Sequence, residues 1–150
     1  MPKDAAGSVR YDEKSVRTIQ VKTVSASYPV VVGSGILPTL YRRLPKRNRV
    51  LVLTSPEIWA LWSKQFLASF PKQNQPSVLF LAAGEQYKRL AQVERLASEL
   101  STVRADRNSL LITFGGGIIG DLGGFLEVYR PATDDVVVEA LLELRVIVHV

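Results

Sequence analysis

The sequence predicts an α/β fold, with an open, mostly parallel sheet and helices on both faces. Two observations carry this. Short, nearly continuous apolar runs at Val50 to Leu53, Val78 to Leu81 and Leu110 to Phe114 read as strands covered on both faces, as parallel strands are. The first two are followed by stretches with apolar residues at helical spacing and the third by a glycine run that opens a helix, and such strand–helix alternation builds a doubly wound sheet. At 150 residues the chain amounts to one domain. With 47% apolar and 22% charged residues it has the composition of a soluble globular protein.

Taken in order, residues 1 to 15 read as a loose tail. Lys3, Arg10 and Lys14 mix there with Asp4, Asp12 and Glu13 and no apolar block occurs, unlike a signal peptide or membrane anchor. Ile19 and Val21 then alternate with polar residues, the period of a half-buried strand. A turn at Ser25 to Ser27 leads to a second strand, Tyr28 to Val32, and Pro29 places the pair at a sheet edge. Gly33-Ser34-Gly35 ends it, and Leu37 to Leu44 reads as a short helix.

The net charge is +5, and the densest basic stretch runs from Arg42 to Arg49. It suits either a phosphate or nucleic-acid patch or a solvated helix end and loop. No aromatic or recognition motif accompanies the charges, so the second reading is preferred and no nucleic-acid or membrane partner is expected. Pro56 opens a helix through Phe70, with Ile58, Leu61, Trp62, Phe66 and Phe70 as its apolar stripe. Trp59 and Trp62 are expected to pack against the sheet rather than stack on a cofactor. Leu90, Val93, Leu96, Ala97 and Leu100 mark one face of a helix from Lys88 to about Ser101.

The most informative stretch is Phe114-Gly115-Gly116-Gly117-Ile118-Ile119-Gly120-Asp121-Leu122-Gly123-Gly124-Phe125. It joins an apolar strand to a helix. Successive glycines let backbone approach a ligand where a Cβ would collide, and N–H groups at a helix start attract phosphate. Gly115-x-Gly117-x-x-Gly120 also fits the dinucleotide-binding pattern in its strand–turn–helix setting. Glycine-rich turns occur for packing too, and spacing alone leaves both readings standing. Asp121 suits either an acceptor for a ribose or substrate hydroxyl or a first-turn carboxylate favoured by the helix dipole.

A second segment, Ala83-Gly84-Glu85-Gln86-Tyr87-Lys88, follows the strand ending at Leu81. Together with the glycine run and the connector Arg104-Ala105-Asp106-Arg107-Asn108-Ser109, it resembles the amino-terminal domain of 3-dehydroquinate synthases. The resemblance covers roughly residues 16 to 126. It implies a Rossmann-like NAD-binding domain, with NAD held by Gly84, Glu85, Gln86, Tyr87 and Lys88 on one side. Gly115, Gly116, Gly117, Ile118, Ile119, Gly120 and Asp121 would hold it on the other. Ser55 stands where many members carry an asparagine or aspartate that contacts the adenosine part, and it joins this set.

The implied reaction is the NAD-dependent cyclisation of 3-deoxy-D-arabino-heptulosonate 7-phosphate to 3-dehydroquinate with loss of phosphate, a lyase step of the shikimate pathway. NAD oxidises a carbinol and the ketone is later reduced, so the cofactor is regenerated. Zinc or cobalt serves the full-length family as Lewis acid. A small-molecule substrate, a homodimer and a cytoplasmic location follow from the same resemblance, and the lack of cysteine fits that compartment.

Beyond Phe125 the resemblance ends. Members continue with Tyr-x-Arg-Gly, whereas this chain reads Tyr129-Arg130-Pro131, and Arg130 is not assigned that arginine's substrate role. Residues 127 to 150 form a divergent tail, apolar from Val136 to Val150 but broken by Glu139, Glu143, Arg145 and His149, short of a bilayer span. A truncated or frame-shifted gene accounts for such a change. The family's catalytic lysines, its metal ligands and its α-helical metal-binding domain are not found. His149 is the sole histidine, and with three side-chain ligands usual no metal site is expected. The alternatives are an inactive fragment or nucleotide-binding module, or a related sugar-phosphate cyclase.

Overall fold

The computed structural model describes residues 16–24, 27–33, 35–81, 90–106 and 108–128. Both tails, and the segment 82–89 with Gly84 to Lys88, lie outside them. The chain first forms an antiparallel hairpin, β1 (Arg17–Lys22) and β2 (Ser27–Val32), with Ile19 opposite Val30 and Val21 opposite Tyr28. Pro29 faces Gln20 across this pair. The hairpin is a two-stranded sheet of its own, so both of its strands are edge strands, where proline is tolerated.

A 3-10 turn at Leu37–Thr39 runs into α1 (Leu40–Arg43). From there strand and helix alternate: β3 (Arg49–Thr54), α2 (Pro56–Ala68), β4 (Ser77–Phe80), α3 (Leu90–Thr102), β5 (Ser109–Phe114) and α4 (Gly117–Val128). The three strands are parallel in the order β4-β3-β5. The last of these three strands in the chain, β5, thus pairs with the first, β3, on the side away from β4.

Alternate residues of the central strand feed two cores. Leu51 and Leu53 point with Leu79 and Leu111 into a layer completed by Val93, Leu96, Ala97 and Leu100 of α3 and Ile119, Leu122 and Leu126 of α4. Val52 points the other way with Leu110, Ile112 and Phe114, against Leu37, Leu40, Phe66 and Phe70. The sheet is therefore covered on both faces, as the continuous apolar runs require. Within the second layer Phe66 lies 4.9 Å from Phe114 and 5.3 Å from Phe70, ring centre to ring centre. Trp59 lies 5.6 Å from Phe66, and both tryptophans pack on this core.

One residue of the expected α2 stripe is misplaced. Leu61 is 76% exposed. The buried line is Trp59, Trp62, Phe66 and Phe70, and at 3.6 residues per turn Leu61 falls well to one side of it.

Helix α4 is held close to β5 by the absence of a side chain. A Cβ at Gly123 would overlap the Thr113 methyl group, and Gly123 is itself buried. Gly123→Ala is therefore expected to destabilise the protein by about 1–3 kcal/mol in urea unfolding. Adding Thr113→Ser removes the opposing methyl and should restore much of the loss. Equal stability of Gly123→Ala and the parent would show that α4 does not rest on this contact.

Candidate functional site

Helices α2 and α4 leave the sheet toward opposite faces, as their separate cores show. The ends of β3 and β5 therefore flank a topological switch point, where open α/β sheets take their ligands. The turn after β3 begins at Ser55 and the turn after β5 at Gly115. Side chains of α2 and α4 crowd Gly115: a Cβ there would come within 2.8 Å of Ile58 Cδ1 and 2.5 Å of Ile119 Cδ1.

Gly115 also has φ +153°, a conformation that residues with a Cβ rarely adopt. Its identity is fixed by backbone and space together. Gly116, Gly117, Gly120 and Gly124 differ, because a Cβ at any of them would meet nothing within 4 Å. Packing among the described residues does not ask for glycine there.

The faces of α4 explain this division. Ile119, Leu122, Gly123 and Leu126 recur at helical spacing and are buried. Gly117, Gly120, Asp121 and Gly124 share the opposite face, the first three of them exposed. The third glycine of the dinucleotide-binding pattern usually brings helix and strand together; here Gly123 does so and Gly120 lies open. Helix geometry leaves the N–H groups of Gly117 and Ile118 without intrahelical partners, while those of Ile119 and Gly120 donate to the Gly116 carbonyl. Because α4 starts at Gly117, Asp121 stands in its second turn. The helix dipole acts within the first turn, so the dipole reading of Asp121 fails.

Ser55 is buried and caps α2: the Ile58 N–H donates to Ser55 Oγ at 3.3 Å. Glu57, fully exposed, has its pKa held below the ordinary 4.5 by its own backbone N–H and then by the Ser55 hydroxyl. Both hydrogen-bonding senses of this serine thus serve the helix start. Beside it the Thr54 hydroxyl is completely buried and makes no hydrogen bond. Sequence patterns gave no sign of Thr54 or Ile58 as parts of this region, and they placed Gly123 in the glycine run without showing that it is the glycine that packs.

The strand order sets β4 and β5 on either side of β3, two strand spacings or about 10 Å apart. A ligand reaching from the glycine turn to the residues after β4 has to cross above Thr54 and Ser55. Arg95, on α3, donates to the Phe80 carbonyl at 2.9 Å and pairs with Glu99, fixing that helix to the carboxyl end of β4. Among the described residues no three of His, Cys, Asp and Glu come together as metal ligands would.

Residues 78–131 match the family model described as 3-dehydroquinate synthase N-terminal. The chain is 40% identical over 110 residues to the 3-dehydroquinate synthase of Solibacter usitatus (strain Ellin6076), covering 71% of this chain and 30% of that protein. It is 34% identical over 103 residues to the enzyme of Pelobacter propionicus (strain DSM 2379 / NBRC 103807 / OttBd1), covering 66% and 29%. The fold is similar to 2-deoxy-scyllo-inosose synthase complexed with carbaglucose-6-phosphate, NAD+ and Co2+, with a TM-score of 0.68 at 19% identity over 76% of this chain and 32% of that one. The match to the amino-terminal family model thus covers residues 78–131, and similarity to proteins named 3-dehydroquinate synthase extends over some 70% of the chain. The chain spans about 30% of the length of the curated relatives it matches.

The capping role of Ser55 can be measured. Ser55→Ala is expected to cost about 1 kcal/mol and to raise the Glu57 pKa toward 4.5. A carboxyl with a lowered folded-state pKa stabilises above its unfolded value, and that contribution disappears as pH falls through the folded one. The stability gap between parent and variant should therefore narrow below about pH 4.5 without closing, since the bond to the Ile58 N–H remains in the parent. A gap that widened on acidification would remove Ser55 from Glu57's environment.

Proposed function

We propose that the turn from Gly115 to Asp121 binds the pyrophosphate of NAD, and that the chain is the nucleotide-binding part of a 3-dehydroquinate synthase-type enzyme. One observation carries this reading. Gly116, Gly117 and Gly120 have open space where their side chains would be, at the start of a helix and at the sheet's switch point. A packing turn needs glycine where neighbours crowd it, as at Gly115 and Gly123; an approaching ligand needs it where the protein itself leaves room.

In this reading the N–H groups of Gly117 and Ile118 meet phosphate oxygens, with the partial positive charge of the α4 start behind them. Asp121, one turn on along the open face, accepts a hydrogen bond from a ribose or substrate hydroxyl. Gly84, Glu85, Gln86, Tyr87 and Lys88, which follow β4 in the chain, complete the NAD contacts, with Glu85 and Lys88 on the ribose and its surroundings. Ser55 lies under the ligand's path; contact with the adenosine part would draw its hydroxyl away from Glu57.

The full reaction proposed for the family member is cyclisation of the heptulosonate phosphate to 3-dehydroquinate with phosphate elimination, in a soluble, cytoplasmic setting. When bound, NAD supplies the transient oxidation that makes the elimination feasible. The chain's own donors do not fit the family's divalent metal: it has one histidine and no cysteine, and no triad of ligands among the described residues. Nucleotide binding without turnover is accordingly the activity expected of these 150 residues.

Calorimetric titration of the full chain with NAD tests the site. Modest affinity is expected, because the cleft wall supplied by one domain buries only part of the ligand. Gly117→Val should abolish binding while leaving the melting temperature nearly unchanged, since a Cβ there would meet nothing within 4 Å. Binding by the variant equal to the parent's would make the glycine run a packing turn and end the cofactor assignment. Phosphate release from the heptulosonate phosphate by the purified chain would overturn the expectation of binding without turnover.

A further inference from the structure

The end of the sheet opposite the glycine turn has an electrostatic character that the sequence shows only in part. Three connections lead into the parallel strands at their amino ends. The first carries Arg42 and Arg43 at the end of α1, then Lys46, Arg47 and, at the first position of β3, Arg49. The second, between α2 and β4, carries Lys72. The third, between α3 and β5, carries Arg104. All seven of these cations are exposed, and Asp106 is the one carboxylate in the three connections among the described residues.

Hydrogen bonds gather the connections into one surface. The Asn48 N–H donates to the Asn108 carbonyl at 3.1 Å, joining the entrances of β3 and β5. The Asn74 side chain donates to the Tyr41 hydroxyl at 2.6 Å, joining the Lys72 turn to α1. None of the seven cations forms an ion pair among the described residues; the pair present there, Arg95 with Glu99, lies on α3. Asp106 is occupied in its own turn, accepting from the Asn108 N–H and the Ser109 hydroxyl. Arg104 has φ 53° and follows α3 with its N–H on the Ser101 carbonyl while the Ala105 N–H reaches the Leu100 carbonyl. That is the left-handed position of a Schellman motif, where glycine is usual and a side chain carries a steric cost. An arginine is kept there nonetheless.

We propose, against the solvated reading that the basic stretch alone favours, that this amino-end face docks the phosphate backbone of a nucleic acid without reading its sequence, an activity separate from the proposed NAD site at the other end of the sheet. Charge alone would suit an acidic protein equally, but protein interfaces centre on buried apolar or aromatic anchors. Among the described residues the exposed large apolar side chains are Ile19, Val24, Val32, Leu61, Phe80 and Phe125, and none of these lies in the three connections. Backbone binding to nucleic acid needs cations and little else, and five of the seven here are arginines, whose planar forks match phosphate.

Fluorescence anisotropy with the full chain and a labelled single-stranded oligothymidine of about 20 nucleotides provides the test. Binding in the micromolar to sub-millimolar range at low salt is expected, with affinity falling steeply as salt rises. Arg42→Glu/Arg47→Glu/Arg49→Glu should weaken it at least tenfold and flatten the slope of log affinity against log salt by about 2. Lys64→Glu, a single reversal of the same kind on the exposed side of α2, should weaken it by well under a third of the triple variant's change in log affinity. An unchanged melting temperature and NAD titration in the triple variant would separate this face from the fold and the cofactor site. The proposal is overturned if the parent does not bind, if Lys64→Glu accounts for a third or more of the triple variant's change, or if polyglutamate of matched charge binds more tightly than the oligonucleotide.

Discussion

The rest of the structure depends on the double burial of β3. Leu51, Val52, Leu53 and Thr54 are at most 2% exposed, with a helical layer against each face and a parallel strand on each edge. A six-residue strand can be enclosed in this way only if every side chain it offers is compatible with an apolar surrounding. Arg49 and Val50, at the end where cover thins, are the residues that escape it. Once β3 is central, the two helical connections have to leave on opposite faces, and the switch point at its carboxyl end follows.

That geometry divides the glycines of the 115–124 run by what surrounds them rather than by their spacing. Gly115 and Gly123 answer crowding from Ile58, Ile119 and Thr113, whereas Gly116, Gly117, Gly120 and Gly124 face room. The same helix therefore carries a closely packed side and an open side, separated by half a turn. Thr54 adds a different feature to the region. A buried hydroxyl without a partner is unfavourable by roughly 1–3 kcal/mol, and its place is the end of the strand on which everything else is built.

Charge is distributed along the strand direction as well. The carboxyl end holds the open glycines with Glu57 and Asp121 nearby in the chain, and the amino end collects cations from three separate connections. Parallel topology produces this: all the connections entering strands lie at one end and all those leaving lie at the other. Residues far apart in sequence thus share a surface when their connections have the same sense.

The sequence by itself determined the strands and helices of the parallel sheet, because continuous apolar runs and helical stripes are local patterns that burial on two faces imposes directly. Val93, Leu96, Ala97 and Leu100 were legible as one buried face, and so was the strand-to-helix turn at Gly115. The position of the glycine run at a strand's carboxyl end followed from the order of the elements. Only the tertiary structure decided that β5 pairs with β3 rather than β4, that the hairpin stands as its own sheet, and that Leu61 faces outward. It also decided which glycines are crowded, and that Lys72 and Arg104 join the basic stretch. Each of these depends on what lies across a strand pair or beneath a helix, distances set by long-range packing that no window of sequence contains.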